Sequence, residues 1–358
     1  MTPHERVLTT LRHHKPPDRV PFEISWGAFT PALMQIYREQ TKTDLPPEEY
    51  FDFDIRPVTI HPSGKNTDFL AYISGEIPPE TSFDEWGIGR VPGKLEHFSE
   101  LKFHPLANCQ SVTEIENFPW ADIDADYRYE NLHAIINNYH QRGYAVTGDM
   151  VCTIFETAWG MRGMENLLID FYVNPDLAHA ICEMLTQLRI RQATKLAELG
   201  VDILRLGDDI ASQQGLLLSL PIYRTFLKER THRIIQAAKR VNPEILIFMH
   251  SDGRVEDMIP EYIDIGIEIL NPVQPECNDL VKIKKQYGKQ LAFWGGIGTQ
   301  TTMPFGTTAD VRQKVHEIIK ILGSDGGFLI APSHILEPEV PWENVITFVE
   351  TVKNSVIK

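Results

Sequence analysis

The residues best suited to chemistry are histidines and carboxylates that terminate apolar runs. In Ile245-Leu-Ile-Phe-Met-His250-Ser-Asp252-Gly253 an apolar run stops abruptly at a histidine, followed by an aspartate and a turn-forming glycine. His250 and Asp252 are two residues apart, so an extended backbone directs both side chains to one side. Similar transitions put His61, Asp149, the pair Asp208 and Asp209, and His334 after other apolar runs. Imidazole nitrogen and carboxylate oxygen are ligands that zinc accepts, with a position left open for substrate or water. The same groups also serve without metal, as general acid and base for proton transfer or decarboxylation. A histidine satisfied in a core, or an aspartate capping a helix, accounts for any one of these residues. It accounts less well for the set.

Four further residues belong with this group. Glu156, in Thr153-Ile-Phe-Glu156-Thr, opens a helix and either faces the same pocket or complements the helix dipole. Asn271, Gln274 and Trp294 follow later apolar runs, and with His61 and Asp149 they are expected to contact substrate. Cys152 and Cys277 lie nearby, but neither has a Cys-x-x-Cys partner, so a thiolate ligand is the weaker expectation. A Gly-x-Ser-x-Gly nucleophile elbow is absent from the sequence.

Positioning such residues around one pocket requires strand ends that converge. Apolar runs near residues 20, 57, 145, 203, 246, 269, 292 and 328 read as strands, separated mostly by helical periodicity. Helices are expected over 4–14, 30–41, 46–54, 130–142, 176–199, 221–241, 255–265, 279–287 and 341–354. Thr307 is expected to cap another, whose Val311, Val315, Ile318 and Leu322 share one face. Eight alternating strands predict an α/β fold of the (β/α)8 TIM-barrel type, in which the C-terminal strand ends surround a single pocket. An open doubly wound sheet is the competitor, weakened by the lack of a Gly-x-Gly-x-x-Gly or phosphate loop after an early strand. Residues 62–128 are poorly periodic and rich in turn residues, with Phe83-Asp-Glu-Trp-Gly87 and Pro119-Trp120 among them. They read as an irregular insertion into a single domain spanning 1–358.

Composition narrows the function classes. A net charge of −15 argues against a nucleic-acid surface and against a basic membrane-binding face. Four widely spaced cysteines indicate neither a disulfide framework nor a zinc knuckle. Met1-Thr-Pro-His-Glu-Arg6 lacks the apolar core of a signal peptide, and a run long enough to span a bilayer is absent. A cytoplasmic protein is expected.

The segments Gly207-Asp-Asp209, Phe248-Met-His-Ser-Asp-Gly253, Phe293-Trp-Gly-Gly-Ile-Gly-Thr-Gln300, Gly326-Gly-Phe-Leu-Ile-Ala-Pro-Ser-His334 and Val340-Pro-Trp-Glu-Asn-Val345 resemble the uroporphyrinogen decarboxylase superfamily. That superfamily consists of (β/α)8 barrels and includes zinc-dependent, corrinoid-linked methyltransferases. The true decarboxylase is the poorer match. Where it carries an arginine-rich segment this chain has Ser25-Trp-Gly-Ala-Phe-Thr-Pro-Ala-Leu33. Its catalytic aspartate falls on His61 and its pocket tyrosine near Glu156, while its C-terminal histidine is kept as His334.

In the methyltransferase branch a His-x-Cys pair and a distant cysteine hold zinc. His250 matches that histidine, Asp252 stands at the first cysteine, and His334 lies close to the second. The resemblance therefore implies zinc on His250, Asp252 and His334, with Glu156 and His334 catalytic and Asp208 and Asp209 orienting substrate or ligands. It implies transfer of a methyl group between a small methylated ether, alcohol or amine and a corrinoid. An Asp-x-His-x-x-Gly signature is absent, so the corrinoid is expected on a separate partner protein. Likeness to the family also implies a homodimer. The alternatives are a metal-free decarboxylase acting on a tetrapyrrole or other carboxylic acid, and a barrel retained as a binding or regulatory protein.

Overall fold

The computed structural model describes residues 1–12, 16–24, 29–93 and 99–356. Seven parallel strands form one sheet in sequence order: β1 (Ile55–Val58), β5 (Ala145–Val151), β6 (Ile203–Gly207), β9 (Leu246–His250), β10 (Ile269–Asn271), β11 (Ala292–Ile297) and β12 (Phe328–Pro332). β6, β9, β10, β11 and β12 are buried along their whole length. Their apolar runs are continuous because helices cover one face and the barrel interior fills the other.

The eighth stave is Val20–Ile24, which makes a single β-bridge, Phe22 to Ile330. It bonds on both edges. The Asp54 amide donates to the Phe22 carbonyl at 3.1 Å, while the Glu23 and Ile330 amides bond to the Ile330 and Pro21 carbonyls at 3.3 and 3.0 Å. This short segment closes the curled sheet between β1 and β12, so the eight expected strand positions all lie in the barrel wall.

Helix Pro3–Leu11 covers the N-terminal end of the barrel. Val7 and Leu11 pack with Ile203, Phe248, Trp294 and Leu329 in a core distinct from the one under the outer helices. The helix ends at Leu11, and His13, His14 and Lys15, which the sequence placed at its end, lie outside the described residues. Thr307 caps Thr308–Ile318 as expected, in a capping box with Asp310. Long helix Pro175–Glu198 buries Ile181, Leu185 and Leu188 at helical spacing and stops before Gly200, whose φ is +84°. The 46–54 expectation shortens to Pro47–Tyr50, because Asp52 has φ +54° and the chain turns there into β1.

The insertion is more ordered than its periodicity suggested. It holds an antiparallel sheet of β2 (Ser82–Phe83), β3 (Gly89–Pro92) and β4 (Ser99–Phe103). Two further short strands, β7 (Ala211–Ser212) and β8 (Gly215–Leu216), form a hairpin after β6. Asp84 accepts the amides of Trp86 and Ile88 at 2.9 and 3.0 Å, folding Phe83-Asp-Glu-Trp-Gly87 into the turn between β2 and β3. Gly87 is required there: its φ is +77°, and a Cβ would lie 2.5 Å from the Phe69 ring.

Candidate functional site

β9 delivers His250 to the C-terminal mouth of the barrel, 7% exposed. Its Nδ1 lies 2.6 Å from Asn271 Oδ1, and the Asn271 amide donates to the Trp294 carbonyl at 3.0 Å. Because the amide nitrogen is turned to a carbonyl, Oδ1 must accept, which assigns the proton to Nδ1 of His250. In the neutral imidazole Nε2 then carries the lone pair. It faces Asp209 Oδ1 at 3.7 Å and Asp252 Oδ1 at 3.9 Å. The ligand atoms of these three residues all lie within 4.8 Å of one another. The Asp252 amide donates to Asp209 Oδ1 at 2.7 Å, tying the loops after β6 and β9 together.

Asp208 and Asp209 face different tasks. Asp208 is buried, and its carboxylate accepts the amides of Ile154 and Glu156 at 3.0 Å each, capping helix Phe155–Arg162. Burial raises its pKa to about 6 against the pull of those amides. Glu156 accepts the Asp209 amide at 3.1 Å, and burial followed by the charges of Asp209 and Asp208 pushes it up to about 8. Asp252 is likewise raised by burial, opposed by His250 and reinforced by Asp209.

One layer deeper, Arg205 grips Asp149 with two bonds of 2.6 and 2.7 Å and reaches Glu23 at 3.5 Å. Trp294 is fully buried in this layer. It donates to Glu23 at 2.9 Å and packs edge-on against Phe248 at 5.1 Å. Asp252 lines a cavity of about 440 Å³ that shares Ile335 with a larger one of about 910 Å³, lined by Asp149, Met150, Phe69, Trp86, Arg128 and Arg189 among others. The β2–β3 turn and the segment around Phe69 thus supply part of the larger cavity's wall.

The sequence-derived residues distribute as follows. His250, Asp252 and Asp209 converge. His334 is a neighbour, its ring centroid 6.5 Å from that of His250, and lines an adjoining pocket with Asp252 and Gln274. Gln274 accepts the Gly253 amide at 3.1 Å. Asn271, expected to touch substrate, is instead the partner that orients His250. Trp294, expected to contact substrate, is instead fully buried, because β11 continues to Ile297 and leaves it mid-strand. His61 stands beyond β1, exposed, with Nε2 2.9 Å from the Glu130 carbonyl. Cys152 and Cys277 lie outside the three-residue group, and surrounding protein holds both thiols high, Cys277 at about 11. Ser25, Trp26, Gly27 and Ala28 of the segment compared with the decarboxylase's arginines lie outside the described residues.

A closed (β/α)8 barrel whose mouth gathers an imidazole and two carboxylates defines the class of protein. The family model "Uroporphyrinogen decarboxylase (URO-D)" matches residues 126–355, and the chain belongs to that family. It is 25% identical over 170 residues to methylcobamide:CoM methyltransferase MtaA of Methanosarcina barkeri, covering 48% of this chain and 47% of that protein. It is 21% identical over 347 residues to the uroporphyrinogen decarboxylase of Pelobacter propionicus, covering 95% of each. The chain thus spans about half the length of MtaA. A solved methyltransferase from Methanosarcina mazei superposes with a TM-score of 0.70 at 19% identity, over 99% of this chain and 98% of that one, and shares the fold. Among the described residues, no helix is long and apolar enough to cross a membrane.

Proposed function

We propose that the chain is a zinc-dependent methyltransferase, moving a methyl group between a small methylated ether, alcohol or amine and a corrinoid on a separate protein. The observation that carries this is the convergence of Asp209, His250 and Asp252, with Nε2 of His250 turned to the carboxylates by Asn271. One nitrogen and two oxygen donors from three residues suit zinc with a position left open, and the Asn271 bond is the outer partner that metal-bound histidines use. Bound there, zinc would act as a Lewis acid on the heteroatom that loses the methyl group.

The chain's own residues do the rest. Asn271 fixes the imidazole plane, and the Asp252–Asp209 bond holds two loops at one spacing. The larger cavity, walled by Phe69, Trp86 and Met150 and joined through Ile335 to the pocket that Asp252 lines, takes the apolar part of the substrate. Glu156, on the Asp209 amide, holds a proton for the departing heteroatom.

The test uses the purified chain with zinc, added cob(I)alamin, and methanol, methylamine or methoxybenzene as donor, read by the visible spectrum of the corrinoid. Methylation that disappears in His250→Ala supports the reading. Absence of methylation with all three donors, together with no zinc retained at His250, overturns it. A second reading, decarboxylation of an organic acid, is favoured by Arg128 and Arg189 in the cavity wall and by the full-length likeness to a decarboxylase. Release of carbon dioxide from uroporphyrinogen by the metal-free chain would establish it.

A further inference from the structure

The opposite end of the barrel carries a second convergence of ligand-type side chains. Asp202 immediately precedes β6, His140 lies in the last turn of helix Leu132–Gln141, and His4 lies in the first turn of helix Pro3–Leu11. Both imidazoles present Nε2 to the same carboxylate: His4 to Asp202 Oδ1 at 3.0 Å and His140 to Asp202 Oδ2 at 2.9 Å. Their rings meet edge to face with centroids 5.5 Å apart, so the two nitrogens converge without stacking. The three ligand atoms lie within 4.8 Å of one another.

We propose that His4, His140 and Asp202 form a second zinc site, which staples the N-terminal helix to the closed end of the barrel. Ligand atoms in a tetrahedral zinc shell with bonds of roughly 2.0–2.1 Å stand about 3.3 Å apart. The observed nitrogen–oxygen separations, one to each oxygen of the Asp202 carboxylate, are within a few tenths of an ångström of that. The donors are preorganised by their backbones. The Val146 amide donates to Asp202 Oδ2 at 2.8 Å and fixes the carboxylate. The His4 amide donates to the Gly143 carbonyl at 2.7 Å, holding the start of one helix against the turn that ends the other. A Thr2–Glu5 capping box keeps that first turn formed.

Partial exposure provides access. The side chains of His4 and His140 are 35% and 31% exposed and that of Asp202 is 13% exposed, so solvent can reach the ion and water can complete its shell. Two neutral imidazoles and one carboxylate leave a bound zinc with a single net positive charge, on a chain whose own net charge is −15. The three ligands come from segments far apart in sequence. Zinc binds this arrangement only when the helix is docked, so its binding energy adds to the stability of the closed end.

The experiment counts zinc per chain by elemental analysis after chelation and reloading, and follows added cobalt(II) by its visible absorption and melting by circular dichroism. The variants are His4→Gln, His140→Gln and His250→Ala, chosen because glutamine keeps a donor to Asp202 and so preserves the clamp without metal. Two zinc ions are expected in the natural chain and one in each variant. Loading should raise Tm by on the order of 2–4 °C more in the natural chain than in either glutamine variant. If the mouth of the barrel does not hold zinc, the natural chain and His250→Ala bind one ion each and the glutamine variants none, and the staple still stands. Should one glutamine variant fail to fold, the other carries the same reading. A zinc count, cobalt spectrum and Tm rise unchanged in the glutamine variants overturn the proposal, leaving the cluster as a hydrogen-bonded clamp only.

Discussion

Asn271 Oδ1 lies 2.6 Å from His250 Nδ1, and the same amide is held by the Trp294 carbonyl at 3.0 Å. The orientation of the site histidine is therefore set from two strands away in the barrel wall. Replacing Asn271 by leucine removes the acceptor while keeping the volume. Zinc affinity at the mouth should fall roughly 10- to 100-fold, as for other outer partners of metal-bound histidines, and Asn271→Asp, which keeps an acceptor, should retain most of it. Equal affinities for the leucine variant and the natural chain in a competitive chelator titration would remove Asn271 from this role.

The adjacent aspartates should separate cleanly. Asp209→Asn weakens zinc binding at the mouth with little change in melting. Asp208→Ala leaves the three ligand residues in place but strips the cap from helix Phe155–Arg162, costing on the order of 1–2 kcal/mol. Paired zinc titrations and denaturant curves distinguish the two, and identical behaviour would contradict the assignment.

Gly253 admits no side chain. Its φ is +87°, and a Cβ there would lie 2.6 Å from the Ser212 carbonyl oxygen and 2.8 Å from that of Ala211. Gly253→Ala should destabilise by on the order of 2–4 kcal/mol and shift Asp252, lowering zinc affinity at the same time. A stable Gly253→Ala protein with natural zinc binding would show that the loop yields where the contacts say that it cannot.

On the outer surface, Arg224 at 3.0 Å and Lys228 at 2.7 Å hold Glu261, whose pKa is lowered to about 2 by those bonds. The folded value lies below the unfolded one. Stabilisation by this carboxylate is thus complete above the ordinary carboxylate range and is lost as pH falls toward about 2. The difference in Tm between the natural chain and Glu261→Gln should be largest near neutral pH and close progressively below about pH 4.5. A gap that stays constant down to pH 2 would mean that packing, not charge, makes the difference.

The barrel was legible because its strands are buried on both faces and its helices on one, and both conditions write directly into hydrophobic pattern. His250 and Asp252 followed from the same pattern, since a strand end puts i and i+2 on one side. What pattern does not carry is the choice between equivalent groups. Asp208 and Asp209 are chemically identical, and which one caps a helix depends on the approach of Ile154 and Glu156 from another loop. Trp294 was misplaced because β11 runs three residues past it, a boundary that burial alone conceals. Strands β2 to β4 were missed because two to five residues of weak alternation, one of them ending in Pro92, resemble a loop. His4, His140 and Asp202 carried no signal at all, being separated by up to 198 positions.

The bridge from Phe22 to Ile330 has a consequence for how the molecule is made. One of the two neighbours of Val20–Ile24 is built about three hundred residues after it. At about 5–20 residues per second the nascent chain waits tens of seconds with this segment unmatched on its β12 side and the growing sheet open at its advancing edge. Closure of the wall therefore waits for β12, and Val20–Ile24 is a latch that only that strand can engage.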